Sequence, residues 1–266
     1  MRRAFFPWVF LAVLPFGVSL CHADYAALQP SADTTLIETE PNNNLGAATF
    51  FNAGINGRGK QNHGLFSFDF NQIPAGSIIT SATLTLQVIR EPSENPTPSI
   101  FALHRMLRPW GEGTKTPGGT PEFPESPGLG SPATTGDATW NDRFFGMNAP
   151  WSAPGGAADI DFLALATTEV FIAGTFDSPY TVSDSGLAGD VQFWINHPES
   201  NFGWMLATES SGTPSTARSF ASREDFLQGG PLLEIEFTTV PEPSSVLLLG
   251  LTGSIFAVAR HRKLLR

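Results

Sequence analysis

The side chains able to do chemistry in this 266-residue chain are few and scattered. Hydrolytic or lyase chemistry needs acids, bases or nucleophiles that converge on one bond. Between the two ends the histidines are His63, His104 and His197, and no pair of them has a metal-ligand spacing. His104 sits beside Arg105 in an alternating stretch and reads as a packed, hydrogen-bonded structural residue. Asp159 and Asp161 stand two apart, which places both carboxylates on one face of a strand and suits an acid/base pair. The same spacing also describes two solvated residues at a strand edge. No Gly-x-Ser-x-Gly elbow and no phosphate loop occurs. Cys21 is the only cysteine, so the chain beyond it has no disulfide, thiolate metal site or cysteine nucleophile. The expectation is a protein that is not an enzyme.

Binding chemistry has better candidates. Trp110, Trp140 and Trp151 flank or follow a stretch rich in Pro, Gly, Thr and Glu from Arg108 to Thr139. Indole faces stack on the C–H faces of sugar rings, and they are equally common in cores. Trp140 and Trp204 read as core. Trp110 and Trp151, beside Gly and Pro, are the candidate carbohydrate-binding residues. Asp33, Asn43 and Asn44 offer hard oxygen ligands, which makes structural calcium the one cofactor considered; Asn-rich turns give the same pattern. From Asp24 to Val240 there are nine basic and 24 acidic residues, a net charge of −15. That charge excludes nucleic acid as a partner.

The elements that must position these groups are strands. Phe66-Ser67-Phe68-Asp69-Phe70, Ala82–Val88 and Leu233-Glu234-Ile235-Glu236-Phe237 alternate apolar and polar residues at period two. Weaker strands are expected at Thr34–Glu38, Thr49–Asn52, Ser99–Met106, Phe162–Thr168, Thr175–Val182, Trp204–Thr208 and Arg218–Ser222. Leu187, Val191, Trp194 and Ile195 have helical spacing, and Pro198 stops the run. Residues 24–240 therefore predict one all-β domain, an antiparallel β-sandwich of jelly-roll type with one short helix. At about 30 residues, Arg108–Thr139 is too long for an ordinary connection and is either functional or disordered.

Both ends carry sorting features. Residues 1–23 have the parts of a signal peptide: Arg2 and Arg3, an apolar stretch to Leu20, and Cys21-His22-Ala23 before a cleavage at Asp24 by signal peptidase. Leu20 before Cys21 disfavours acylation of that thiol. At the other end, residues 241–266 join Pro241-Glu242-Pro243 to an apolar run and then to Arg260-His261-Arg262-Lys263 and Arg266. The uncharged Ser244–Ala259 has 16 residues, about 24 Å as a helix. A transmembrane helix this short suits a temporary span, with its basic end staying cytoplasmic.

This tail resembles the PEP-CTERM sorting signal. The resemblance implies an exosortase in the inner membrane that cuts near the triplet, and a destination at the cell surface or in an extracellular matrix rich in exopolysaccharide. The body resembles the DNRLRE domain of bacterial surface proteins. That resemblance is carried by Ala32–Ile37 with Asn44-Leu45-Gly46, Leu65–Phe70 with Ile73–Ser77, and Ile79–Leu84. It continues through His104-Arg105 with Trp110-Gly111-Glu112-Gly113, Gly136–Trp140, Asn201–Trp204, and Ser222-Arg223-Glu224 before Pro231-Leu232-Leu233. It implies a jelly-roll sandwich and extracellular polysaccharide as a partner; a structural matrix or adhesion module without a ligand is the alternative.

Overall fold

The computed structural model describes residues 23–118 and 128–239. The leader up to His22, the middle of the long irregular stretch, and the tail with Pro241, Glu242 and Pro243 lie outside the described residues. The strand expected at Leu233–Phe237 forms β16 (Leu232–Thr238), between β1 (Ala23–Leu28) on one side and β6 (Ile78–Leu86) on the other. With β13 (Tyr180–Ser183) beyond β6 they make a four-stranded antiparallel sheet. Alternation decides its faces. Leu233, Ile235 and Phe237 point inward with Ala82, Leu84 and Leu86, and Glu234 and Glu236 face water. On the wet face Thr83 bonds Ser183 at 3.0 Å and Thr85 bonds Thr181 at 3.1 Å, cross-strand pairs that fix the register.

The opposing sheet runs in the order β12 (Thr168–Ile172), β8 (Ser99–Arg105), β14 (Trp204–Thr208), β5 (Gln61–Phe68), β4 (Phe50–Ile55), β15 (Arg218–Ala221) and β7 (Val88–Arg90). A further strand, β2 (Pro30–Ile37), pairs with β5 off this path. Two short ribbons complete the strands: β3 (Asn43–Asn44) with β9 (Ser131–Pro132), and β10 (Asp142–Phe144) with β11 (Ala149–Pro150). The inner faces of both sheets share one core. Phe51 stacks on Phe220 at 5.3 Å, and Trp204 meets Phe66, Phe68 and Trp194. Gly64 makes the Phe51 position available, since a Cβ there would lie 2.5 Å from its ring.

Helix α1 (Ser185–Asn196) is where the 3.6-residue spacing places it. The Asp184 carboxylate caps it by accepting from the Gly186 and Leu187 amides, and Leu187, Val191 and Trp194 face the core. Gln192 accepts from the Ile79 amide and donates to the Ser77 carbonyl, so the helix covers the pole of the sandwich where β6 begins. Asp190 ties it to the large sheet through Trp204 Nε1 at 2.8 Å and Arg105 at 3.2 Å.

Two expected strands are displaced. Phe162–Thr167 is not a strand; Phe162 makes isolated bridges to Met106 and Ala158, bends follow, and β12 begins only at Thr168. Thr175–Pro179 is a loop, and β13 starts at Tyr180.

Candidate functional site

The scattered polar pieces of the sequence meet at one buried point, organised by Asn44. Its Nδ2 donates to the Glu112 carbonyl at 2.8 Å, the Ala138 carbonyl at 2.9 Å and Thr34 Oγ1 at 3.2 Å. Its Oδ1 accepts from the Gly46 amide at 3.0 Å and the Lys115 amide at 3.3 Å. One fully buried amide thus adds to the few backbone bonds of the long Arg108–Thr139 stretch and ties Glu112, Lys115 and Ala138 together. Gly113, at φ +85°, is required beside it, because a Cβ would fall 2.2 Å from Asn44 Oδ1.

Asp33 lies next to this hub. Its amide donates to Glu112 Oε1 at 2.9 Å, and its Oδ2 accepts from the Arg223 amide at 2.9 Å. Arg223 in turn forks onto Glu112, with Nε 2.8 Å from Oε1 and Nη2 3.0 Å from Oε2, and also reaches Glu224 at 2.8 Å. The structure places Asp33, Asn43 and Asn44, the residues expected to ligate calcium, at and beside this hub. Asn44 spends its oxygen on two amides, and Asn43 donates to the Leu129 carbonyl at 2.8 Å. Among the described residues no group of three His, Cys, Asp or Glu side chains is arranged to hold a metal ion.

Burial pushes the Asp33 carboxyl up to about 8; the Arg223 amide opposes this, and Glu224 and Glu112 add to it. The neutral form carries its proton on Oδ1, which has no other partner, since Oδ2 is already an acceptor. His63 is held the other way. Burial lowers it to about 4, and its Nδ1 lies 2.9 Å from the Gly155 carbonyl, so the neutral ring keeps its hydrogen there. The signs give a pH profile. A raised carboxyl binds more protons folded than unfolded, so Asp33 withdraws stability as pH rises toward 8. A lowered histidine adds stability as pH rises, but only up to the unfolded value near 6.5. From pH 6.5 to 8 the Asp33 contribution is expected to fall by about 2 kcal/mol at most; burial also raises the Glu112 and Asp190 carboxyls, which act with the same sign. Urea unfolding across that range should show a steeper fall in wild type than in Asp33→Asn; equal slopes would refute it.

The tryptophans do not form an exposed groove. Trp151 is 4 % exposed and its Nε1 donates to the Thr139 carbonyl at 2.9 Å. Trp110 is half-buried and donates to the Phe202 carbonyl at 2.9 Å. Both pack with Trp140, Leu36, Leu65 and Met205 in a second apolar cluster outside the main core. Trp140 and Trp204 are core, as their neighbours in sequence suggest. The Asp159/Asp161 reading is corrected in both its forms, since neither residue is in a strand. Asp161 is buried and accepts from the Ser152 and Ala157 amides, both at 2.8 Å, which fixes a turn. Asp159 is exposed at φ 60° and caps the Ala164 amide. His104 is structural as expected, with Nδ1 2.9 Å from the Leu163 carbonyl and its ring edge-on to Phe162.

Arg223 and Glu112 stand 111 positions apart, and no local signal in the sequence marks them as partners. Asn44 itself spends both its amide nitrogen and its oxygen on the fold, while Asp33 Oδ1 beside it is buried without a partner.

The last described residue, Thr239, follows β16 directly, and β16 lies against β1. The class so defined is a β domain with a sorting segment attached to its last strand. The PEP-CTERM protein-sorting motif matches residues 239–263. No curated protein matches the chain. Among the described residues no helix is long and apolar enough to cross a membrane.

Proposed function

We propose that this chain is an exported, non-enzymatic surface or matrix protein. Signal peptidase frees its N-terminus, and an exosortase removes or transfers it at the tail. The observation that carries the reading is the sorting motif at residues 239–263, placed immediately after the last strand of the domain. Pro241 and Pro243 disfavour helix by their chemistry, and a non-helical segment is the form a protease accepts. The apolar run behind them is a short membrane hold, and its basic end resists export.

The strand order β1-β16-β6-β13 facing β5-β14-β8-β12 supports a jelly roll made of two Greek keys. The DNRLRE reading is supported by the meeting of Asp33, Asn44, Glu112, Gly113 and Arg223 in one hub, five residues from pieces far apart in the chain. Burial of Trp151 and Trp140 favours a structural or adhesive module over one that stacks sugars on those rings.

The test is replacement of Pro241-Glu242-Pro243 by three alanines in a host with an exosortase. Wild type is expected to lose the mass of the tail and leave the inner membrane, and the variant to stay there at full mass. Identical mass and location for both would make the segment a plain anchor.

A further inference from the structure

Three large apolar side chains stand almost wholly in water at one pole of the domain: Phe176 is 96 % exposed, Phe226 94 % and Leu227 93 %. The strand registers say which pole. Leu28 pairs with Leu233, Leu86 with Tyr180 and Thr85 with Leu232, so the loops carrying these residues enter β13 and β16 at the end where β1 and β6 finish. Ala23 and Thr238 pair at the opposite end, one length of β16 or about 20 Å away. Both loops are held. Asp225 Oδ1 accepts from the Leu227 and Gln228 amides, each at 3.0 Å, and its carbonyl accepts from the Gly229 amide at 2.9 Å. The Glu91 carboxylate accepts from the Thr175 amide and hydroxyl, each at 3.2 Å, and Ser178 Oγ accepts from the Val88 amide at 2.8 Å.

The two loops wall one open cleft of about 460 Å³, with Thr175 and Ser178 on one side, Asp225 and Gln228 on the other, and Val88, Ile89 and Arg90 between them. Monomers rarely leave so much apolar surface uncovered around one cleft. A phenylalanine buries about 150–250 Å², so two rings and a leucine offer about 500 Å² on one copy and about 1,000 Å² on two, the size at which specific interfaces begin. The charges fit a second copy too. Arg90 is exposed and stacked over Phe50 at 4.6 Å, and among the described residues it has no carboxylate partner. Asp177, exposed beside Phe176, has no cation among the described residues. Each copy thus brings one free cation and one free carboxylate to the same cleft, which is what a self-complementary contact needs.

We propose that this pole is a homotypic contact. Two copies pair about a two-fold axis through the cleft, Phe176, Phe226 and Leu227 of each cover those of the other, and Arg90 of one meets Asp177 of the other. The ends of β16 then lie at the two extremes of the pair. The net charge of −15 on residues 24–240 of each copy keeps the pairing weak and reversible, and repels an anionic bilayer as a rival occupant. The adhesive meaning of the contact rests on the surface-protein reading above: two chains held at their C-terminal ends are joined head to head, with no sugar ligand between them.

Residues Ala23–Thr239 form one compact unit that holds both sheets and the helix, so residues 24–239 serve as the test protein in solution. Sedimentation at concentrations up to about 1 mM is expected to show wild type passing from monomer to dimer. Phe176→Ser, Phe226→Ser and Leu227→Ser combined should weaken pairing about tenfold or more. The melting temperature should stay that of wild type, because these side chains are exposed in the single copy. Arg90→Glu should weaken pairing too, and adding Asp177→Arg should restore it. A wild type that stays monomeric, a triple variant that pairs equally well, or a charge swap that restores nothing overturns the proposal. A monomeric wild type that binds neutral phosphatidylcholine vesicles through the same three residues also overturns it and gives the patch to a bilayer. Tail processing takes no part in the measurement, so a failure to pair leaves the exosortase reading standing, and a failure of that reading leaves the pairing standing.

Discussion

Replacing Arg218 with leucine is expected to cost the domain about 3–5 kcal/mol of stability. Its guanidinium is buried beneath β15 and donates to five backbone carbonyls. Nη1 reaches those of Ser215, Thr216 and Ala217, at 3.4, 3.1 and 3.0 Å. Nη2 reaches Thr97 at 3.1 Å and Ala173 at 2.9 Å. These carbonyls belong to three separate segments, so one side chain closes the backbone bonding of three loops at once. Burial lowers the guanidinium from its ordinary value and Glu91, 3.9 Å away, opposes that shift. Leucine fills much of the volume but removes these donors; the Ser215 carbonyl keeps the Thr97 amide at 2.9 Å, and each buried polar group left orphaned costs about 1–3 kcal/mol. Lysine keeps the charge and loses the planar fork, so Arg218→Lys should fall between the two. Urea midpoints for the three proteins should order as Arg, Lys, Leu. A leucine variant as stable as wild type would show that water or backbone shifts satisfy these carbonyls.

Where alternation was strong, the strands were legible. β6 and β16 follow from Ala82–Leu86 and Leu233–Phe237, because one buried face and one wet face leave a single register. β1 gave no such signal. Its Ala-Asp-Tyr-Ala-Ala-Leu turns only Ala26 and Leu28 into the core, and Tyr25 lies exposed on the other face, bonded to Glu234. The segment from Phe162 misled for the opposite reason: it is apolar, yet Leu165 is 84 % exposed. Residue type alone does not say which way a side chain points.

The hub was legible only as fragments. Asp33 and Arg223 are 190 positions apart, Asn44 and Ala138 are 94 apart, and each bond joins an ordinary polar residue to a backbone group. No periodicity encodes such a contact. Asn44 reads as a turn residue or an oxygen ligand until the carbonyls around it are placed. The same holds for Trp151, whose neighbours Pro150 and Gly155 suggest an exposed loop although the loop folds over its ring.

Glycine offers the sharpest check on that closeness. Gly111 lies beside Gly136, and a Cβ added to it would stand 1.8 Å from the Gly136 carbonyl oxygen and 3.2 Å from the Phe144 ring. A backbone oxygen cannot swing away as a side chain does, so alanine must push the two segments of this stretch apart. The Gly111 carbonyl accepts from the Ala138 amide at 2.7 Å, and the Ala138 carbonyl accepts from Asn44, so the displacement passes straight into the hub. Gly111→Ala is therefore expected to destabilise by about 3 kcal/mol or more, a fall in melting temperature of about 6–12 °C for a domain of this size. Gly189 is the counterpart. It lies within α1 with nothing within 4 Å of its would-be Cβ, and alanine there removes a helix penalty of about 0.5–1 kcal/mol. Gly189→Ala should raise the melting temperature by about 1–4 °C. Calorimetry on the two variants should place them on opposite sides of wild type. If Gly111→Ala melts with wild type, the stretch around Asn44 is looser than its contacts require and the hub does not hold the fold.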